Sequence, residues 1–481
     1  MTLDPASPEP AYRQIAAQLA AAARAGRLTA GDPLPGTREL AERLGVNRKT
    51  VTRAYEDGIA RGWLRAVPQR GVFIAGDNGD GDDAAGLGRF APAFDGVALP
   101  PYFDALPSEA GPGWLTIDNG APDVRLLPHE RMHRGYRRAL REVFTTASRP
   151  AASPSPQGLP ALREALAGML RQTRGMPVRP EEVCVTRGTQ MALHAVAATL
   201  LVPGDRVVVE RWSYPPAWAL FRTLGAEVST VGMDSQGLDV DALAALCDAA
   251  PVRMVYVTPH HQFPTGVRLA PERRRQLLAL ARKHGFVILE EDYDHEFNHR
   301  GDRGSLPLAS GNPGGHVVHI GSLSKVLAPS FQCAYVAAPT GLTQALCRRL
   351  GLVSRHGDAV VERMIAGFIE DGGLRAHVRK AGRVYRARRD AMVQALREAF
   401  GEAVAIDPPA SGLALWARFA APLDTTGMVR RAPRFQLRLR DGALFSPSGE
   451  PVNALRLGFG SLDDGEMREA VARLARAAGA G

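Results

Sequence analysis

The sequence predicts two folded parts: an α+β winged helix-turn-helix unit at the N-terminal end, joined to a larger α/β domain that finishes in a smaller α+β portion. Three observations carry that prediction. Residues 1–75 hold two short helical patterns separated by Gly45-Val46-Asn47 and followed by two strand-like runs. Gly76–Gly88, GDNGDGDDAAGLG, has four Asp and no apolar periodicity, which marks a self-repelling linker. From about Leu115 short apolar runs alternate with amphipathic stretches, the pattern of a mostly parallel sheet covered by helices. A length of 481 residues allows two to four such domains.

In the first part, Tyr12, Ile15, Ala16, Leu19 and Ala23 recur at helical spacing, and Gly26 is the expected stop. Thr37 is placed as the N-cap of Arg38–Leu44, with Gly45 ending that helix. Asn47 is placed as the cap of Arg48–Arg61, whose apolar side is Val51, Ala54, Tyr55 and Ile59. Trp63–Ala66 and Gly71–Ala75 flank Val67-Pro68-Gln69-Arg70 as a β-hairpin wing. Residues 76–113 are expected to be linker, and 114–481 the second domain. There, Val183–Thr186, Arg206–Glu210, Met254–Thr258, Phe286–Glu290 and Val317–Ile320 read as buried strands. From about Arg355 the chain turns helical before an α+β stretch around Gly412–Gly460.

Composition excludes several classes. Apolar residues at 45% and charged residues at 23% rule out global disorder, collagen and coiled coil. Cys184, Cys247, Cys333 and Cys347 form no C-x-x-C pair, which argues against a zinc site or a disulfide framework and fits a reducing cytosol. The acidic start and the absence of a spanning apolar stretch predict a cytoplasmic protein without membrane contact. The net charge of +9 invites a nucleic-acid reading but locates nothing: residues 1–75 hold 11 Lys and Arg against 7 Asp and Glu.

Topology locates more than charge. Arg48, Lys49, Thr50, Thr52 and Arg53 face away from the apolar stripe of the second helix, at the end that meets base edges, and Arg70 tips the wing. A solvated face is the plain alternative. The whole chain has only four lysines, Lys49, Lys283, Lys325 and Lys380, and only Lys325 follows directly on a buried strand, within Gly321-Ser322-Leu323-Ser324-Lys325. That placement suits a Schiff base with a phosphorylated aldehyde cofactor, although a lone lysine after a strand is more often superficial. Thr186-Arg187-Gly188-Thr189-Gln190 ends a strand and opens a helix, so the Gly188 and Thr189 amides can hold a phosphate. Glu290-Glu291-Asp292-Tyr293-Asp294 ends another strand, where such sheets place ligands. Alternation puts Glu291 and Tyr293 on one face and Asp292 on the other.

LPGTRELAERLGVNRKTVTRAYEDGIARGWLRAVPQRGVFIA resembles the winged helix-turn-helix of GntR-type bacterial regulators along its whole length. The G-T-Q turn, G-D-R-V-V-V-E followed by Tyr214, T-P-H-H-Q-F-P-T-G, E-E-D-Y-D-H-E-F, S-L-S-K and L-R-L-G-F resemble, in order, the pyridoxal-phosphate (PLP) fold type I aminotransferases. Together they make the chain similar to the MocR/GabR family of transcriptional regulators, a GntR domain fused to an aminotransferase-like domain. The resemblance implies that Lys325 forms the internal aldimine, Tyr293 meets the ring hydroxyl, Glu291 the pyridine nitrogen, and Tyr214 the ring. It further implies that Gly188, Thr189, Ser322 and Ser324 hold the phosphate, and that Arg456 grips an effector carboxylate. The implied DNA-binding set is Arg38, Asn47, Arg48, Lys49, Thr50, Thr52, Arg53 and Arg70.

Four positions depart from that family. Glu291 stands where Asp is usual; Gln332 and Ala334 stand where an Arg and a Gly are usual; and Phe263 replaces the Asn of N-P-T-G, leaving His261 and Gln262 as candidates to take over its contacts. A neutral Gln cannot replace a guanidinium against a phosphate, so Arg187 is assigned part of the missing charge. The resulting expectation is a PLP-dependent regulator, homodimeric on double-stranded operator DNA, that senses an amino compound or PLP itself. The alternative is a working aminotransferase that carries a DNA-binding domain; the missing Arg and the altered Asp argue against physiological turnover.

Overall fold

The computed structural model describes residues 2–479 except 76–110, 147–154, 300–305, 312–314 and positions 5, 6, 8, 25–27, 30, 61 and 69. The chain divides into two compact units, 1–97 and 98–481, a division that falls inside the expected linker. Most of that linker, Gly76–Gly88 included, lies outside the described residues, as do Gly26, Arg61 and Gln69.

The small unit runs α1 (Ala11–Arg24), α2 (Thr37–Leu44), α3 (Arg48–Ala60), β1 (Leu64–Val67) and β2 (Gly71–Ile74), with the two strands antiparallel from Leu64↔Ile74 to Val67↔Gly71. Its core is Ile15, Leu19, Leu40, Val51, Ala54, Tyr55, Leu64 and Ile74, and the Tyr55 hydroxyl donates to the Pro35 carbonyl at 2.7 Å. Gly45 ends α2 at φ 65°, a left-handed conformation that glycine adopts without a Cβ clash. Asn47 Oδ1 accepts from the Lys49 amide at 2.9 Å, as its capping role requires. Two expectations are corrected. Gly36, not Thr37, is the N-cap of α2, because Thr37 is already helical and its Oγ1 accepts from Arg48 Nε at 3.2 Å. Ile59 is exposed, because Gly58 brings α3 against Leu64 and the apolar stripe ends there.

The large unit begins with β3 (Leu115–Thr116), α4 (His129–Thr146) and α5 (Pro160–Arg174). Its αβ succession is β4 (Val183–Arg187), α6 (Gly188–Leu200), β5 (Arg206–Glu210), α7 (Pro215–Thr223), β6 (Glu227–Val231), the short pair β7 (Met233–Asp234) and β8 (Gly237–Leu238), α8 (Val240–Ala249), β9 (Met254–Val257) and α9 (Pro271–His284). Then come β10 (Val287–Asp292), β11 (Val317–Ser322) and β12 (Cys333–Ala337), followed by α10 (Thr340–Val353), α11 (Ala359–Glu370) and the long α12 (Gly373–Phe400). The chain closes with β13 (Val404–Ile406), β14 (Ala414–Phe419), α13 (Thr425–Arg431), β15 (Leu437–Arg438), β16 (Ala454–Gly458) and α14 (Asp464–Gly479).

Seven strands form one sheet in the order β4-β12-β11-β10-β9-β5-β6. All pairs are parallel except those of β12, which runs antiparallel to β11 and β4. The inner strands are buried on both faces, which is why Val207–Val209 and Met254–Val257 are continuous apolar runs. A second, antiparallel sheet β13-β14-β16 packs with α12 and α14 around Tyr385, Leu415, Leu457 and Leu474. This C-terminal layer is stitched to the start of the unit. β15 pairs with β3 through Leu437↔Leu115, Arg388 donates to Asp123 Oδ2 at 2.9 Å and to the Gly460 carbonyl at 2.7 Å, and Arg125 pairs with Glu466.

Candidate functional site

The C-terminal ends of β4, β10 and β11 converge on a cavity of about 670 Å³. Arg187, Gly188, Thr189, Tyr214, Glu291, Tyr293, Ser322, Ser324 and Lys325 all line it, so the fold brings together the full set assigned to the cofactor from the sequence. Gly188, the first residue of α6, has φ +76° and opens the helix N-terminus toward this space, a disposition suited to an anion.

Lys325 follows β11 by three residues, and its Nζ donates to the Gly120 carbonyl at 2.6 Å. Burial holds its ammonium below the ordinary lysine range, with Asp118 opposing. Glu291 Oε2 accepts from the Tyr256 hydroxyl at 2.5 Å, and burial pushes its carboxyl up to about 7. Asp292, on the opposite face of β10, pairs with Arg174; against the cost of burial, that guanidinium keeps Asp292 well below the usual carboxylate range. Strand alternation thus separates the two acids as the sequence indicated. Tyr293 donates to the His261 carbonyl at 2.9 Å, and the His261 ring stacks on it at 5.9 Å and 20°. Tyr214 accepts from Gln190 Nε2 at 3.2 Å and meets Phe263 edge-on at 5.1 Å.

Arg456 is not among the residues lining the cavity. It is 1% exposed, donates from Nη1 to the Pro264 carbonyl at 2.5 Å and from Nη2 to the Tyr293 hydroxyl at 3.2 Å, and has Phe263 over its guanidinium at 4.4 Å. Nor do His261 or Gln262 reach the cavity in place of the missing Asn; Phe263 occupies that wall itself. His261 Nδ1 lies 2.8 Å from Asp294, and Gln262 Nε2 donates to Glu210 Oε2 at 3.0 Å and to the Trp212 carbonyl at 2.7 Å. Sequence reasoning missed Tyr256, whose position in the short buried strand Met254–Val257 aims it at Glu291, and Arg440, which lines the cavity from the C-terminal portion with no local pattern to mark it.

Glu210 is also fully enclosed, and burial raises its carboxyl to about 8. A raised acid stabilises the fold below its unfolded value and loses that contribution as pH rises through the folded one. The cofactor-free protein is therefore expected to lose stability between pH 4.5 and about 8 through Glu210 and Glu291 together, and Glu210→Gln to remove the Glu210 part. Urea melts of both proteins across that window measure the difference, on the order of 5 kcal/mol.

In the small unit Arg38, Asn47, Arg48, Lys49, Arg53 and Arg70 are exposed, with Thr50 and Thr52 half-buried. Thr52 Oγ1 donates to the Arg48 carbonyl at 3.1 Å, while the Arg53 guanidinium packs over Tyr12 at 4.3 Å and that of Arg70 near Phe73 at 5.9 Å.

A winged helix-turn-helix on one chain with an aminotransferase-fold domain defines a DNA-binding regulator built around an enzyme scaffold. Residues 132–474 match aminotransferase class I and II, and residues 11–74 match the gntR family of bacterial regulatory proteins. The HTH-type transcriptional regulator TauR of Rhodobacter capsulatus is 32% identical over 460 residues, covering 94% of this chain and 93% of its own length. The probable rhizopine catabolism regulatory protein MocR of Rhizobium meliloti is 28% identical over 485 residues, covering 98% and 94%. A crystal structure of LysN, the alpha-aminoadipate aminotransferase of Thermus thermophilus complexed with N-(5'-phosphopyridoxyl)-L-leucine, superposes with a TM-score of 0.70 at 29% identity over 79% of this chain and 97% of that one. The chain belongs to the MocR-type family of HTH transcriptional regulators, with a large unit of aminotransferase class I and II. PLP is the cofactor of that unit, and the residues present fit it: a buried amine, a carboxylate across the same cavity, and a helix N-terminus beside a guanidinium. No helix among the described residues is long and apolar enough to cross a membrane.

Proposed function

We propose that this regulator is a cytoplasmic homodimer that reads operator DNA through its small units and senses a small amino compound, or PLP itself, through the cavity around Lys325. The carrying observation is the convergence of Lys325, Glu291, Tyr293 and the α6 N-terminus on one cavity. When bound, the cofactor supplies an aldehyde that captures amines and a ring that draws electrons from the captured carbon. Lys325 Nζ, its proton affinity lowered by burial, would be the amine that meets the cofactor's aldehyde. Glu291, which accepts from the Tyr256 hydroxyl, would face the ring nitrogen as a carboxylate. Tyr293 holds the ring hydroxyl, Tyr214 packs on the ring, and Gly188, Thr189, Ser322 and Ser324 take the phosphate. An amine alters DNA affinity only if it binds two arrangements of the dimer unequally. On DNA, Arg38, Asn47, Arg48, Lys49, Thr50, Thr52 and Arg53 meet the major groove and Arg70 the adjacent backbone.

Gln332 lines the cavity where a guanidinium is usual, and Arg187 stands at the β4–α6 turn. Arg187→Ala is expected to weaken PLP binding roughly tenfold or more, and Gln332→Ala far less, in fluorescence titrations. Equal, small effects would remove Arg187 from this role. The function as a whole is tested by genomic footprinting with and without added amines near the flanking genes. Amine-dependent occupancy supports the regulator; sustained transfer of the amino group to a keto acid, with occupancy unmoved, supports the enzyme instead.

A further inference from the structure

A second cavity, of about 630 Å³, lies on the other side of β10 from the first. Adjacent residues of that strand serve one cavity each: Glu291 lines the space around Lys325, while Asp292 holds Arg174 in the wall of the other. A polar chain continues from Asp292. His295 Nδ1 stands 3.3 Å from Asp292 Oδ2, and His295 Nε2 stands 3.3 Å from Glu296 Oε1. The chain ends at Glu296 Oε2, an enclosed oxygen without a hydrogen-bond partner among the described residues, and burial raises that carboxyl. A buried polar oxygen left in this condition is costly unless a ligand group arrives to meet it.

Glycine keeps the space open. Gly168 stands in the middle of α5, where glycine weakens a helix relative to alanine, yet a Cβ there would meet nothing within 4 Å. Gly372, left-handed at φ +71° ahead of α12, lines the same cavity and is equally uncrowded. Met169, Leu374 and Val378 give the lining an apolar side. Its charges do not balance. Glu370 pairs with Arg363 at 3.4 Å and Glu296 leans on His295, whereas Arg268 and Arg375 add two guanidinium groups to that of Arg174. A cationic excess beside an apolar wall suits an organic anion.

We propose that this cavity is a second ligand site, for a small carboxylic acid whose apolar body carries a hydroxyl. Arg268 and Arg375 take the acid, Met169, Leu374 and Val378 cover the body, and the hydroxyl meets Glu296. A hydroxyl satisfies Glu296 in either protonation state, because it both donates and accepts. The ligand needs no amine, since Lys325 lies in the other cavity. The site therefore stands apart from the cofactor chemistry and does not depend on it.

The test titrates full-length, PLP-loaded protein by calorimetry with para-hydroxybenzoate, benzoate and phenol, none of which can form a Schiff base. Wild type is expected to bind para-hydroxybenzoate roughly fivefold more tightly than benzoate and at least tenfold more tightly than phenol. Gly168→Leu, which fills the cavity from a helix that favours leucine, should lose the acids while keeping the cofactor band. Arg375→Ala should weaken both acids roughly tenfold, and Glu296→Ala should erase the advantage of para-hydroxybenzoate over benzoate. Arg440→Ala, in the wall of the first cavity, should leave all three affinities as in wild type. The proposal is overturned if Gly168→Leu and Arg375→Ala bind the acids as wild type does, if phenol binds as tightly as the acids, or if Arg440→Ala alone loses them. A wild type that binds none of the three at millimolar concentration overturns it too, and leaves the reading of the Lys325 cavity untouched.

Discussion

Lys325→Ala is expected to abolish covalent capture of the cofactor: the absorbance band near 420 nm disappears, and borohydride leaves the protein at its unmodified mass. The effect is complete rather than graded because no other lysine can substitute. Lys49 is exposed on α3 in the other unit, Lys283 pairs with Asp248 at the end of α9, and Lys380 lies on α12. If the proposed phosphate cradle and Glu291 hold PLP as inferred, equilibrium dialysis should find cofactor bound to the variant without the band. A band that survives, or a borohydride adduct on another residue, would remove Lys325 from the centre of the site. Adding a soluble primary amine to the variant should restore a band, since the missing group is only the internal amine.

Val51→Asp is expected to unfold the small unit and eliminate operator binding while the large unit keeps its cofactor band. Val51 is fully enclosed between Ile15, Leu40 and Leu64, with Tyr55 beside it. An unpaired carboxylate there costs about 4 kcal/mol or more, a large part of what so small a core supplies. Gel shifts on the footprinted DNA, with the cofactor spectrum recorded on the same sample, separate this outcome from global misfolding. Retained DNA affinity would mean that the recognition helix does not depend on this core.

Legibility in the sequence followed the range of the interactions concerned. Lys325, Glu291 and Gly188 were readable because each sits at the end of a strand whose burial is written in consecutive apolar residues, and the Glu291/Asp292 division needed only strand alternation. The helix-turn-helix was readable for the same reason, with Gly45 and Asn47 as local punctuation. Two strands of the seven-stranded sheet escaped notice. Glu227–Val231 lies at the sheet edge and is only partly buried, and Cys333–Ala337 runs antiparallel to both of its neighbours, outside the strand–helix alternation. What was illegible was long-range. Tyr256 reaches Glu291 across adjacent strands, Phe263 covers an arginine nearly 200 positions later, and Arg440 arrives from a different layer; no window of sequence contains both members of any of these pairs.

The stitching of the C-terminal layer to residues 115–126 has a consequence for synthesis. β3 waits for β15, Asp123 for Arg388, and Arg125 for Glu466, so the cavity cannot be completed until nearly the whole polypeptide has left the ribosome. The helix-turn-helix has its core within the first 74 residues. A nascent chain therefore displays a finished DNA reader several hundred codons before it possesses a sensor. For that interval the chain carries its helix-turn-helix without the cavity around Lys325.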